Sequence, residues 1–233
     1  MHSKKYQDGI TLNLNNCPFC NEQVGIPFDG FSENTKKIKS RIVKFNNFII
    51  IPDLSPIKFG HTLFCSKEHI SNFSLNKIGF YEEIEVFIKK FYSNILENIF
   101  FFEHGTSSCI SPNGCVEHAH IHIVPINSSI SKKIIINIEK IEGISICLKK
   151  SIAEEYSWLK ENSDSKHYIL IGKYNDKEGM LVSSWVSEFI PSQFIRHIIA
   201  SELNIPPHLK DKSEREIAFI QTLDYLKNLT VLE

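Results

Sequence analysis

Three clusters of residues have the types and spacing to do chemistry. Residues 117–125, EHAHIHIVP, put His118, His120 and His122 at every second position of a short apolar run. In an extended strand those three side chains share one face, and Ala119, Ile121 and Ile123 share the other. A neutral imidazole offers a nitrogen lone pair that attacks phosphorus or binds a metal, so the row points to phosphate chemistry, metal ligation or both. The second cluster is CPFC, with Cys17 and Cys20. Such a pair is either a redox couple or half of a tetrahedral metal site, and no thioredoxin-like strand–helix pattern follows it. The third is IPDLSPIKFGHTLFCSKEH, residues 51–69, which holds Asp53, His61 and His69. A dinuclear hydrolase built on histidines would add carboxylates next to the row, but Ile123, Val124 and Pro125 follow it.

The elements that must position these groups are legible in outline. RIVKFNNFIII (41–51) reads as strand with a turn at Asn46-Asn47, and HTLFCS (61–66) as a second strand. Residues 74–98 carry Ile78, Tyr81, Ile84, Ile88, Phe91 and Ile95 at helical spacing, with Ser74 as a cap, which predicts a long amphipathic helix covering a sheet. IFFFE (99–103) is a third strand, and a loop with Pro112, Asn113 and Gly114 leads into the histidine strand, which Pro125 ends. The stretch from CPFC to about residue 40 reads as loop or a short hairpin. This order predicts an α+β fold with an antiparallel sheet over residues 1–130. Residues 131–233 form an α/β C-terminal extension, with helices at 149–162, 191–203 and 213–228 and strands at 167–172 and 180–187 around the turn NDKEG. Its strand–turn–strand–helix order echoes residues 43–98, as a degenerate second half would, without a second histidine cluster.

The whole chain bounds the function classes. It has 233 residues, 26 basic against 27 acidic, for a net charge of -1. That balance argues against a dedicated nucleic-acid or membrane-surface binder. No run of about 18 apolar residues and no signal-like N-terminal segment is present, so a cytoplasmic protein is expected. The six cysteines form no regular framework and are expected as thiols or ligands rather than disulfides.

Taken with its neighbours, the row resembles the histidine-triad nucleotide hydrolase and transferase superfamily. HAHIHIVP matches the alternation and the short apolar tail of its motif, and DLSPIKFGHTLFCSKEH supplies in order the Asp, Pro, Gly-His and Lys-x-His that precede it. The resemblance covers residues 17 to about 126. It implies that His120 is a nucleophile attacking the α-phosphorus of a nucleotide, that His122 contacts the phosphate, and that His61 stands behind the row as an orienting partner. It places Asp53 on the ribose hydroxyls and Ile51 and Leu54 along the base. Some members pair a Cys-x-x-Cys with the histidine of Lys-x-His and the first triad histidine; here that gives a structural zinc on Cys17, Cys20, His69 and His118, with no redox cofactor. Nucleoside phosphoramidates or dinucleoside polyphosphates are the implied substrates. His122 at the third triad position, where transferases tend to carry Gln, favours hydrolysis over nucleotidyl transfer or phosphorolysis. Many members carry Gln followed by Ser or Thr ahead of the triad, where this chain has Gly114 and Cys115. That departure removes the polar groups that serve the leaving group in those members and leaves a low-turnover nucleotide sensor as a further alternative. Compact members are commonly homodimers. PSQFIRHIIASEL (191–203) resembles extensions of larger members, and the cluster of Ser192, Gln193 and Arg196 at its helix start makes Arg196 a candidate contact for a leaving-group phosphate.

Overall fold

The computed structural model describes residues 17–26, 28, 32–75, 80–92, 98–105, 116, 118–140, 152–162, 167–175, 177–187, 190–191, 193–206 and 212–230. Asn46 sits at φ 46°, a left-handed conformation that asparagine tolerates better than most residues. It turns β1 (Val43–Phe45) back onto β2 (Phe48–Pro52). With β3 (Thr62–Ser66), β4 (Ile99–Gly105), β5 (His120–Pro125), β6 (His167–Asn175) and β7 (Gly179–Ser187) these strands make one seven-stranded sheet. The order is β1-β2-β3-β5-β4-β6-β7, and every pairing is antiparallel. The histidine strand is therefore central, between β3 and β4.

Alternation along the strands builds two cores on opposite faces of the sheet. On one, Phe64, Ile121, Ile123, Phe101, Tyr168 and Leu170 pack against Ile84, Phe87, Ile88 and Phe91 of α3 (Phe80–Tyr92), with Leu159 of α5 (Ile152–Asn162) and Leu226 of α7 (Lys212–Thr230). On the other, Phe100, Phe102, Val124, Ile169 and Ile171 meet Ile134, Ile135 and Ile138 of α4 (Ser128–Glu139) and Ile195 and Ile199 of α6 (Phe194–Glu202). A smaller cluster on this second face seats Cys17 and Phe19 on Ile49, Ile51, Leu63 and Cys65. Ile121 and Ile123 anchor β5 from behind, so His120 and His122 face the gap between the two clusters of the second face.

The extension does not form an alternating α/β unit. β6 runs antiparallel to β4 over seven paired positions, and Gly172 is what lets the strands approach, since a Cβ there would lie 2.0 Å from the Phe101 ring. α4, unforeseen in the sequence reading, is capped by Asn127, whose side chain accepts from the Ile130 amide at 3.0 Å. The expected loop before residue 40 holds two short helices, α1 (Pro18–Gln23) and α2 (Glu33–Lys36). Both are too short for helical periodicity to register; a Pro at the start of α1 and a Ser32–Thr35 capping box in α2 were the local signals. Ser74, read as the cap of the long helix, lies in a 3-10 turn at Phe73–Leu75. Ile78, Ile95, the loop residues Pro112 to Cys115, and Ser192 lie outside the described residues. Among the described residues no helix is long and apolar enough to cross a membrane.

Candidate functional site

All three chemical clusters of the sequence contribute to one group at the N-terminal end of β5. Cys17, at the N-cap of α1, and Cys20 within it lie against the sheet, while His69 follows β3 and His118 precedes β5. The four donor atoms lie within 4.8 Å of one another and can hold a metal ion. His118 Nδ1 is 3.3 Å from Cys17 Sγ and 3.5 Å from Cys20 Sγ, and His69 Nδ1 is 3.1 Å from Cys20 Sγ. A tetrahedral ion with bonds of about 2.0–2.3 Å spaces its donors roughly 3.3–3.8 Å apart; the 3.3 and 3.5 Å separations fall in that range and the 3.1 Å one lies just below it. His118 Nε2 is 2.8 Å from the Ser66 carbonyl oxygen, which can only accept. The ring proton is therefore on Nε2, and Nδ1 presents its lone pair to the sulfurs, the arrangement by which an outer partner fixes a ligand's tautomer. The dithiol is already polarised: the hydrogen bond from Cys20 and the nearby His118 pull the Cys17 thiol down against the effect of burial, and Cys20 is pushed up by its bond to Cys17 and by burial.

The same backbone logic sets the rest of the row. His120 Nδ1 lies 2.7 Å from the His118 carbonyl oxygen, so Nδ1 carries the proton and Nε2 a free lone pair. Burial, with His122 beside it, drives His120 down to about 3, so the ring is neutral at pH 7. For His61, fully buried, the donor is a backbone amide: Ile57 N–H donates to Nδ1 at 3.1 Å. Burial outweighs the pull of Asp53 and holds His61 neutral, which puts its one ring proton on Nε2. That N–H faces His122 Nδ1 at 3.0 Å, with Asp53 Oδ2 3.5 Å away. His122 Nδ1 accepts, so its own proton sits on Nε2. Burial likewise lowers His122 against Asp53, and its ring stacks on Phe102 with centroids 4.6 Å apart and planes 8° off parallel. The row thus presents a bare nitrogen on His120 and an N–H on His122.

Asp53 forms the floor beneath them. Its Oδ1 accepts from the Ser55 amide at 2.6 Å, and its Oδ2 lies 3.2 Å from Arg196 Nη1 and 3.5 Å from both His61 Nε2 and His122 Nδ1. Burial alone would raise this carboxyl; His61, His122 and Arg196 outweigh it and hold it well below the usual range. Both oxygens of the group that the resemblance assigns to ribose are therefore engaged inside the protein. Arg196, the candidate from the extension, is 5 % exposed and directed at Asp53. Asp53, His61 and His122 also converge closely enough for a cation. Against that, the Ile57 amide leaves His61 Nε2 protonated, and the guanidinium at 3.2 Å already balances the carboxylate.

The loop that carries His61 is gripped from two helices. Gly60, at φ 82° with a Cβ position 2.8 Å from Pro125, accepts from Tyr92 Oη at 2.8 Å and donates to Thr222 Oγ1 at 2.9 Å. Thr222 belongs to α7, so the extension fixes the site at this point as well as at Arg196. Ile51 is fully buried beneath Cys17 and Phe19, whereas Leu54 is half-buried. Gly114 and Cys115 lie outside the described residues. The sequence reading missed Ile57, Ser66 and Phe102, which act through main chain or ring stacking and carry no chemical signature. It also missed Phe19 as a bridge: the ring between the two cysteines packs edge-on against both His118 and His120, at 5.4 and 5.7 Å between centroids. Compared with models of known protein families and with curated proteins, the chain matches no family model and no curated protein significantly.

Proposed function

We propose that this protein is a nucleotide hydrolase of the histidine-triad kind, cleaving at the α-phosphate of a nucleoside phosphoramidate or dinucleoside polyphosphate through a nucleotidyl-His120 intermediate. The observation that carries the reading is the tautomer pattern: a bare Nε2 on His120 beside an N–H on His122, each set by a backbone group one or two contacts away. His120 Nε2 attacks phosphorus, the N–P bond forms, and the bond to the leaving group breaks with its electron pair going to the leaving oxygen, or to a leaving nitrogen that takes up a proton from water. The ring becomes cationic as it does so, and its Nδ1–H already points at the His118 carbonyl, which stabilises that charge. His122 Nε2–H donates to a non-bridging phosphoryl oxygen as negative charge develops there. Water then attacks phosphorus and gives up a proton to solvent, the N–P bond breaks, and its pair returns to His120 Nε2. Asp53 and Arg196 serve in this scheme by holding His61 and His122 in place.

Zinc is the ion we assign to Cys17, Cys20, His69 and His118, because two thiolates and two imidazoles are its usual structural set. It would brace the start of β5 and take no part in the displacement, which leaves His120 free.

The test is turnover of a nucleoside phosphoramidate and of a dinucleoside triphosphate in 18O-labelled water, with and without inorganic phosphate. Hydrolysis puts label into the nucleoside monophosphate, and acid-labile nucleotide is trapped on the parent but not on His120→Gln. Phosphate-dependent diphosphate formation would point to transfer instead. Tight nucleotide binding without any trapped adduct or product would reduce the protein to a sensor.

A further inference from the structure

The second face of the sheet carries two more histidines beside the row. Phe100 and Phe102 of β4 and Ile169 and Ile171 of β6 lie on this face, so by alternation His104 and His167 do too. Phe102 is paired with His122 across β4 and β5, which puts His104 two residues further along β4, alongside His120. His104 and His167 then meet across β4 and β6, with ring centroids 6.0 Å apart. The imidazoles of His120, His104 and His167 thus lie on three successive strands, β5, β4 and β6, whose axes are about 5 Å apart.

Both added rings have an unmet nitrogen. Among the described residues His104 Nε2 and His167 Nδ1 have no hydrogen-bond partner and are shut away from solvent, although each residue is partly exposed. Leaving one such nitrogen unpaired typically costs about 1–3 kcal/mol, and two on adjacent strands call for a partner that arrives from outside. No carboxylate pairs with either ring among the described residues, and two imidazoles alone would leave a metal ion half coordinated. Burial, with His167 beside it, pushes His104 down to about 4, so at neutral pH it is an uncharged ring with one N–H to donate. The position also matters. Asp53 and Leu54 stand on the β2–β3 side of the row and His104 and His167 on the β4–β6 side, so a substrate whose nucleoside lies toward Leu54 would have its leaving group over the second pair.

We propose that His104 and His167 form a subsite for the leaving group and that it takes a phosphate, so that the favoured substrates are polyphosphate-bridged nucleotides rather than phosphoramidates of neutral amines. This rests on the hydrolase reading above. When the bond to the α-phosphorus breaks, the electron pair goes to the bridging oxygen, which leaves as a terminal oxygen of the departing phosphate. The two histidine N–H groups donate to the oxygens of that phosphate, supplying contacts that an amine cannot use.

The test compares the parent with His104→Gln, His167→Gln and the double variant on two substrates that share one nucleoside monophosphate, a dinucleoside triphosphate and an alkyl phosphoramidate. The expected result is that kcat/KM for the triphosphate falls at least tenfold further than for the phosphoramidate. In parallel, inorganic pyrophosphate is titrated into the protein and followed through the imidazole C–H signals. The parent should bind it, and the double variant at least tenfold more weakly. Equal losses on both substrates, or pyrophosphate binding that ignores both substitutions, overturns the subsite. If the parent cleaves neither substrate, the hydrolase reading fails, and the pyrophosphate titration still decides whether the pair binds phosphate. Circular dichroism and the urea midpoint of each variant separate misfolding from either outcome.

Discussion

Replacing Arg196 with methionine keeps most of the side chain's apolar reach and removes the guanidinium from Asp53. The pair is deeply set, with side-chain exposures of 6 % and 10 % and a separation of 3.2 Å. Removing one partner of a buried pair commonly costs about 3–5 kcal/mol, because the charge left behind is unbalanced. Asp53 keeps the Ser55 amide on Oδ1 and His61 Nε2–H within 3.5 Å of Oδ2, so the expected loss is near the lower end, about 3 kcal/mol. The protein has one way to soften it. His122 Nδ1 is 3.5 Å from the same oxygen, and Arg196 now helps to keep that ring uncharged. Without the guanidinium the His122 pKa must rise, so part of the loss appears as proton uptake by His122. Urea unfolding at pH 7 measures the stability change, and NMR titration of the His122 imidazole measures the shift. A double-mutant cycle with Asp53→Asn isolates the pair and should give a coupling of about 2 kcal/mol or more. Additive effects, with an unmoved His122 titration and a loss of under about 1 kcal/mol, would refute the account of Arg196 as the counter-charge of the site.

Two further outcomes follow from the geometry. The protein as purified should hold one zinc per chain, and Cys17→Ser or strong chelation should lower the thermal midpoint with a smaller direct effect on the chemical step, since the cluster seats α1 on the sheet and leaves His120 free; metal analysis and scanning calorimetry check both parts. Glu103, buried under Tyr168 and accepting from the Phe73 amide and Tyr168 Oη, is raised to about 8 by burial. The folded state therefore keeps a proton that the unfolded chain releases above about 4.5, and stability falls as pH rises from there to about 8, by about 1.4 kcal/mol per unit from this group. Glu103→Gln removes that slope, so its advantage over the parent in urea midpoints should grow between pH 5 and 8, and parallel pH curves would contradict the assignment.

Much of this arrangement was legible because it is local. Period-two alternation puts His118, His120 and His122 on one face of a strand whatever the strand pairs with, and Asn46-Asn47 declares its turn through a backbone conformation that few residues accept. The helix α3 followed from apolar spacing over three turns. α4 was missed even though Ile130, Ile134, Ile135 and Ile138 have that spacing, because serines and lysines interrupt them and its Asn127 cap is a single side chain. α1 and α2 are each under two turns, too short for any periodic signal.

The sequence by itself determined which chemistry the chain can attempt: the alternating imidazoles, the paired thiols and an aspartate with a histidine eight residues on. Only the tertiary structure decided how those groups are used. It brought Cys17 to His118 and Asp53 to Arg196, separations of 101 and 143 residues that no local pattern encodes. It also joined the extension's strands to the sheet that carries the histidine row and thereby put His104 and His167 beside that row. The proton on each ring was the last thing settled. A tautomer is chosen by whether a backbone carbonyl or amide stands opposite the nitrogen, and main-chain groups are the same at every residue, so that choice exists only once strand pairing and loop geometry have aimed them.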